Sequence, residues 1–293
     1  MTCLFSALPT TTSSATRGRA RLNRRRFRQS RHLAMSESKD PNSIRSISRA
    51  LALIRCFSPG VTSLTLQELA TQAEIPKSTA VRILGALRSE GMIEHDPLTR
   101  SYSPGLGFLH WAQIAGHRWG VPSAVTDLMR SAAERFGESI SLYVRSGDSR
   151  VAIAHLPGTR SLRHVIAVGE PMTLSAGASS WILLQNSPPE IIERVERTLR
   201  ERRANYSARE KIAQSISQGY AASDGEREVG VAGVSVRVEL PGGDLIGALT
   251  FGGPSARIGA DETAAFVDHL RTLAPTIGAQ LDTRRHTSST RVD

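Results

Sequence analysis

Apolar residues recur at helical spacing from Ile44 onward: Ile44, Ile47, Leu51, Ile54 and Phe57, with Arg45, Arg49 and Arg55 between them. That period predicts a helix over 44–57, which Pro59-Gly60 breaks. Thr65-Leu66-Gln67-Glu68 has the spacing of a capping box, in which hydroxyl and carboxylate satisfy orphan amides, and it opens a second helix over 66–73. A short turn at Glu74-Ile75 leads to Pro76, whose fixed φ suits a first helical turn. Ala80, Leu84 and Leu87 then mark the buried stripe of a third helix, ended by Gly91. Met92–His95 and Ser101–Ser103 are short extended runs around an Asp96–Arg100 turn, the pattern of a wing. The region 44–104 thus predicts a winged helix-turn-helix. Residues 105–118 form an apolar helical stretch carrying Phe108, Leu109, Trp111 and Ile114, a linker helix whose face needs a partner, either the next domain or a second chain.

The pattern beyond it mixes both periods. Pro122 opens a helix with Val125, Leu128, Met129, Ala132 and Phe136 on one side, and from Ser139 the period becomes two. Strands are expected at 139–145, 151–156 and 164–168. Ser187-Pro-Pro-Glu190 and Ser207-Ala-Arg-Glu210 are capping boxes that start helices near 188–203 and 208–217. Val229–Val238 and Leu245–Phe251 read as a hairpin across Pro241-Gly-Gly-Asp244, and a last helix over 261–283 carries Phe266, Leu270, Leu273, Ile277 and Leu281. Strands interspersed with helices make 119–285 an α+β domain, followed by a polar tail at 286–293 expected to be disordered. The chain is therefore an α+β two-domain protein.

Charge changes the picture less than its total suggests. Of the net +10, residues 1–34 carry +8 as eight arginines with no acid, which leaves +2 for everything after them. The region 44–104 holds seven cations against five acids. Residues 1–43 are expected to be a disordered basic tail, and three readings of its Arg-rich start stand open: sequence upstream of a true start at Met35, a basic arm touching phosphates, or a targeting peptide. No apolar run is long enough for a membrane span. Cys3 and Cys56 form no metal or redox pair, so a reducing, cytoplasmic setting is expected.

The chemistry expected of the third helix comes from what its buried stripe leaves outside. Lys77, Ser78, Thr79, Val81 and Arg82 offer hydroxyls, cations and one apolar contact, a set suited to phosphates, base edges and thymine methyls in a major groove. Arg100 on the wing, with Arg45 and Arg49 in the first helix, is placed to hold phosphates. A three-helix unit used only for assembly is the alternative. His155 and His164 lack metal-ligand spacing and read as solvated or internally satisfied, so no metal or cofactor is expected. An enzyme with an N-terminal oligomerisation module is the rival reading, but no nucleophile with a base, metal cluster or phosphate loop supports it.

With these residues in view, the sequence resembles the IclR family of bacterial transcriptional regulators. The resemblance rests on Ser46-Ile-Ser-Arg-Ala-Leu51, Glu68-Leu-Ala70, Ile75-Pro-Lys-Ser-Thr-Ala-Val-Arg-Ile-Leu84, Gly91-Met-Ile-Glu-His-Asp96 and Tyr102-Ser-Pro-Gly105. It continues through Gly137-Glu138, Val168-Gly-Glu-Pro-Met172, Ser175-Ala-Gly-Ala178, Gly219-Tyr-Ala-Ala-Ser-Asp-Gly-Glu226 and Gly230. It implies a linker helix that dimerises, a GAF-like domain that binds a small-molecule effector, and a homodimer or dimer of dimers on operator DNA, with RNA polymerase a further candidate partner. The implied role is regulation of a catabolic operon through a palindromic operator. Carried over residue by residue, the effector pocket would use Ser175, Ala176, Ser223, Gly233, Thr250 and Gly252. An acid common near position 223 is Ser here, a Cys of some members is Gly233, and the Ser-x-Ser of the last strand is Thr250-Phe251-Gly252. A pocket with fewer polar groups is expected to prefer a bulkier aromatic or alicyclic carboxylate over a small polar oxoacid.

Overall fold

The computed structural model describes residues 44–58, 60–202 and 206–289, so the basic tail lies outside the described residues. Contacts divide these residues into two units, 44–122 with 281–289, and 123–280.

The first unit holds α1 (Arg45–Ile54), β1 (Leu64–Thr65), α2 (Leu66–Gln72), α3 (Lys77–Ser89), β2 (Ile93–Asp96), β3 (Ser101–Pro104) and α4 (Gly107–Trp119). Its core is Leu53, Cys56, Leu64, Leu69, Ala70, Ile75, Ala80, Leu84 and Ile93. Thr65 caps α2 as the sequence expects: its hydroxyl accepts from Glu68 N–H, and the Glu68 carboxylate accepts from Thr65 N–H at 2.9 Å. The connection to α3 turns at Glu74, which takes φ 56°, while Ile75 N–H reaches back to Ala70 O. The wing has three strands in the order β1-β3-β2, one more than its sequence announces. Leu64 and Thr65 pair with Tyr102 and Ser101, so the start of α2 is tied to the wing. The first helix departs from expectation. It buries Leu53, whereas Ile44, Ile47 and Leu51 point outward, because Leu53 and Cys56 supply the apolar contacts that this small core admits.

The second unit runs α5 (Ser123–Phe136), β4 (Ser139–Ser146), β5 (Ser149–Leu156), β6 (Pro171–Thr173), α6 (Ala178–Leu183), α7 (Pro189–Arg202), α8 (Ala208–Gln218), β7 (Ala221–Asp224), β8 (Val231–Glu239), β9 (Leu245–Pro254) and the greater part, to Gln280, of α9 (Ala260–Ser289). Six antiparallel strands form one sheet, β6-β5-β4-β9-β8-β7. On one face Phe136 of α5 meets Phe251 and Phe266 edge-on, at 5.2 and 5.3 Å between centroids. On the other face Trp181, Ile182, Leu183, Ile191, Leu199 and Ile212 from α6, α7 and α8 pack with Tyr143, Ala152 and Ala248. Two expectations are corrected. Residues 164–168 form no strand: the carbonyl of His164 accepts from the Ser139 hydroxyl instead of a ladder amide, and Pro171–Thr173 takes the sheet edge. The last helix continues past Arg285 to Ser289, since each added residue of an existing helix gains a backbone bond without needing burial.

Candidate DNA-binding face and effector cleft

On the first unit, α3 buries Ala80 and Leu84 and leaves Lys77, Ser78, Val81 and Arg82 exposed, with Thr79 half-buried. Pro76 stands just before the helix, and no side chain caps its first amides, which leaves donors at the N-terminus where an anion is favoured. Arg45, Arg49 and Arg100 are exposed. Arg100 takes φ 52° at the wing tip. That tip is held by Asp96, whose carboxylate accepts from Leu98 N–H at 2.8 Å and from the Thr99 hydroxyl at 2.7 Å. These hydrogen bonds hold the Asp96 carboxyl below its ordinary value. Leu106, Leu109, Trp111 and Ile114 of α4 and the segment before it are all exposed.

On the second unit, a cleft opens beside α6, on the face of the sheet that carries Tyr143, with about 450 Å³ of space including its mouth. Its walls include Ser141, Tyr143, Arg150, His164, Ser223, Arg227 and Thr250. Of the residues implied by the family resemblance, Ser223, Gly233, Thr250 and Gly252 border it and Ser175 and Ala176 do not. Gly177, at φ 93°, turns the chain so that Gly177, Ala178 and Ser179 face the space, while Ser175 turns back to Thr173 with 2.7 Å between hydroxyls. A Cβ at position 177 would lie 2.8 Å from Arg150 Nη1, so glycine serves both the turn and the close approach. Gly252 makes room in the same way, since a Cβ there would press on the His164 ring.

The cleft is more polar than expected, and cationic. Arg150 is buried at 4% exposure, donates to the hydroxyls of Ser179 and Ser180 at 2.7 and 3.0 Å, and lies 5.4 Å over the Tyr143 ring. Its Nε is buried with no hydrogen-bond partner. Burial brings the guanidinium down to about 10, which still leaves it charged at neutral pH. Arg227 donates through Nη2 to His164 Nε2 at 2.6 Å. Arginine has only donors, so the imidazole accepts there. Glu226 is buried beside the cleft, accepting from Gly177 N–H at 2.8 Å and Trp181 Nε1–H at 2.9 Å, with Lys211 at 3.5 Å. Glu226 therefore fixes the loop that presents Gly177 and Ala178.

Sequence reasoning missed Arg150, Arg227, His164, Tyr143 and Ser141. Period two would place Arg150 and His155 on opposite faces of β5. A bulge inserts Ile153 between the pairs Leu142↔Ala154 and Tyr143↔Ala152, and both residues come to share the cleft face. No group of three or more His, Cys, Asp or Glu among the described residues is placed to hold a metal ion.

Residues 46–97 match the model of the IclR helix-turn-helix domain, and residues 115–279 match that of the bacterial transcriptional regulator IclR C-terminal domain. The chain belongs to the IclR family. The HTH-type regulator KipR of Bacillus subtilis is 24% identical over 247 residues, which cover 82% of this chain and 98% of that protein. A solved IclR-family transcriptional regulator from Rhodococcus sp. is 32% identical, with a TM-score of 0.52, and the match covers 84% of this chain and 97% of that one. The fold is also that of an IclR homolog from Microbacterium hydrocarbonoxydans solved with 4-hydroxybenzoate, at 20% identity and a TM-score of 0.67, covering 81% and 99% of the two chains. This IclR-family protein is a transcriptional regulator with a DNA-binding helix-turn-helix and an effector-binding domain of GAF-like α+β fold; its domains and curated relatives are regulators, not enzymes.

Proposed function

We propose that this IclR-family regulator binds a palindromic operator as a cytoplasmic homodimer and changes its DNA affinity when a small carboxylate enters the cleft, controlling a catabolic operon. The observation that carries the effector reading is Arg150. A charged guanidinium taken out of water is costly unless an anion and hydrogen bonds compensate it, and this one has two hydroxyls, a ring face, the field of Glu226 without an ion pair to it, and an unpartnered Nε. A carboxylate at that wall supplies the compensating charge to a guanidinium that borders the cleft. The complex of the Microbacterium relative with 4-hydroxybenzoate supports the same ligand class. Two guanidiniums also remove the reason to disfavour small polar acids, so ring and chain acids both belong in the search.

On the DNA side, Lys77, Ser78, Thr79, Val81 and Arg82 meet base edges and phosphates, and Arg45, Arg49 and Arg100 hold the backbone. The exposed apolar side chains of α4 support a dimer, and a two-fold dimer presents two recognition helices to matching half-sites. Gel shifts with duplexes from the chain's own upstream region test this. Wild type should give a sequence-specific shift that Arg82→Ala weakens by about 1–3 kcal/mol. Equal binding by wild type, Lys77→Ala and Arg82→Ala would remove α3 from the interface.

A further inference from the structure

The floor of the cleft carries a row of polar side chains across four strands. Backbone pairing places His155 beside Ser141, Ser141 beside Thr250, and Thr250 beside Ser235. Two contacts in the row are direct: Ser141 Oγ to His155 Nδ1 at 2.9 Å and Ser235 Oγ to Thr250 Oγ1 at 2.8 Å. Ser141 and Thr250 border the cleft, whereas His155 and Ser235 flank them on the outer strands of the row and do not line it.

Hydrogen-bond direction along the row can be followed from its ends. Ser235 Oγ lies 3.3 Å from the Leu249 carbonyl, to which it can only donate; with its single proton assigned there, the 2.8 Å contact runs from the Thr250 hydroxyl to Ser235. Thr250 then has only lone pairs left for the cleft. At the other end, burial pushes the His155 imidazole below its ordinary value, which keeps it neutral at pH 7, and its Nε2 is buried without a partner. A bare lone pair suits that unpartnered Nε2 better than an orphaned N–H, which assigns the proton to Nδ1; donating to Ser141, it turns the serine proton into the cleft. The two neighbours are thus complementary: Ser141 gives a proton and Thr250 receives one. Directly paired side chains on adjacent strands are close enough for one oxygen to sit between them.

We propose that the cleft selects a carboxylate bearing a free hydroxyl, which accepts from Ser141 and donates to Thr250, and that His155 is the positioning residue that sets the direction of the Ser141 hydroxyl. This rests on the carboxylate reading above and adds a second point of recognition to it. A ketone or methoxy group satisfies Ser141 and leaves Thr250 without a donor, so such analogues should bind less well than the alcohol.

The test is calorimetric titration of the full chain with acids that differ by one group. The probes are benzoate with its three hydroxy and three methoxy isomers, cyclohexanecarboxylate with its 4-hydroxy derivative, and butyrate with the hydroxybutyrates. At least one hydroxy acid should bind about tenfold more tightly than its parent, and than its methoxy counterpart where one is in the set. His155→Phe should bring that ratio under about threefold and leave the parent acid's affinity within about twofold, while His155→Asn, which keeps a donor near Nδ1, should restore part of the preference. Ser141→Ala and Thr250→Val should each lower the ratio, and they keep the test open if the His155 variants fold poorly. Binding of parent acids with no hydroxyl preference, or an undiminished preference in His155→Phe, would overturn the proposal and leave the carboxylate reading standing. Binding of none of the acids would overturn both.

Discussion

Arg150 and Gly177 form a matched pair at the scale of single residues. The guanidinium occupies the space that a side chain at position 177 would fill, and φ 93° at that glycine disfavours any other residue. Gly177→Ala should therefore lower stability by about 1–3 kcal/mol in a denaturant titration, through backbone strain and a displaced Arg150. Arg150→Met has the opposite profile. A buried charge without a carboxylate in contact contributes little to folding, so the variant should be as stable as wild type or more so, while carboxylate affinity falls by about 10- to 100-fold. An unfolded Arg150→Met, or one that binds acids like wild type, would show the arginine to be structural. Neither residue's role was legible in the sequence. Arg150 sits in an alternating strand where it reads as a surface cation, and only the extra residue at Ile153 turns it and His155 to one side.

Elements with strong local signals were the readable ones. The capping box at Thr65 placed the start of α2 to the residue, and the stripe of Ala80 and Leu84 placed α3, because both signals depend on contacts within a few positions. Thr65→Ala should cost about 1 kcal/mol of stability, seen as a lower denaturant midpoint with an unchanged slope. The elements missed lack such signals. The strand β1 is two residues long and exists through pairing with Tyr102 and Ser101, more than 30 positions away. The helix α6, Ala-Ser-Ser-Trp-Ile-Leu, is buried along its whole length, so it shows no amphipathic period. The apolar run at 164–168 reads as a strand but joins no ladder: His164 borders the cleft, and Val165 and Val168 are exposed. The outward positions of α3 were legible by subtraction from its core stripe, whereas the cleft depended on pairings between distant strands.

For the whole molecule, stability should fall on mild acidification. His155 is held below 6.5 by burial, and His269 by burial with Arg135 nearby. The folded state resists protonation that the unfolded chain accepts, so the stability is fully present above about pH 6.5 and is lost as pH falls through the lower folded values. The melting temperature should drop between pH 7.5 and 5.5, and His155→Phe with His269→Phe should flatten that drop. The same molecule links two equilibria, DNA binding and acid binding, and linkage requires each to shift the other by the same factor. The most direct measurement is fluorescence anisotropy of a labelled upstream duplex, titrated with wild type and with Arg150→Met, each with and without the carboxylates that bind in calorimetry. Both proteins should bind the duplex sequence-specifically, and adding acid should change that binding by about 5- to 150-fold for wild type alone. No sequence-specific binding, or the same response to acid in Arg150→Met, would contradict this prediction.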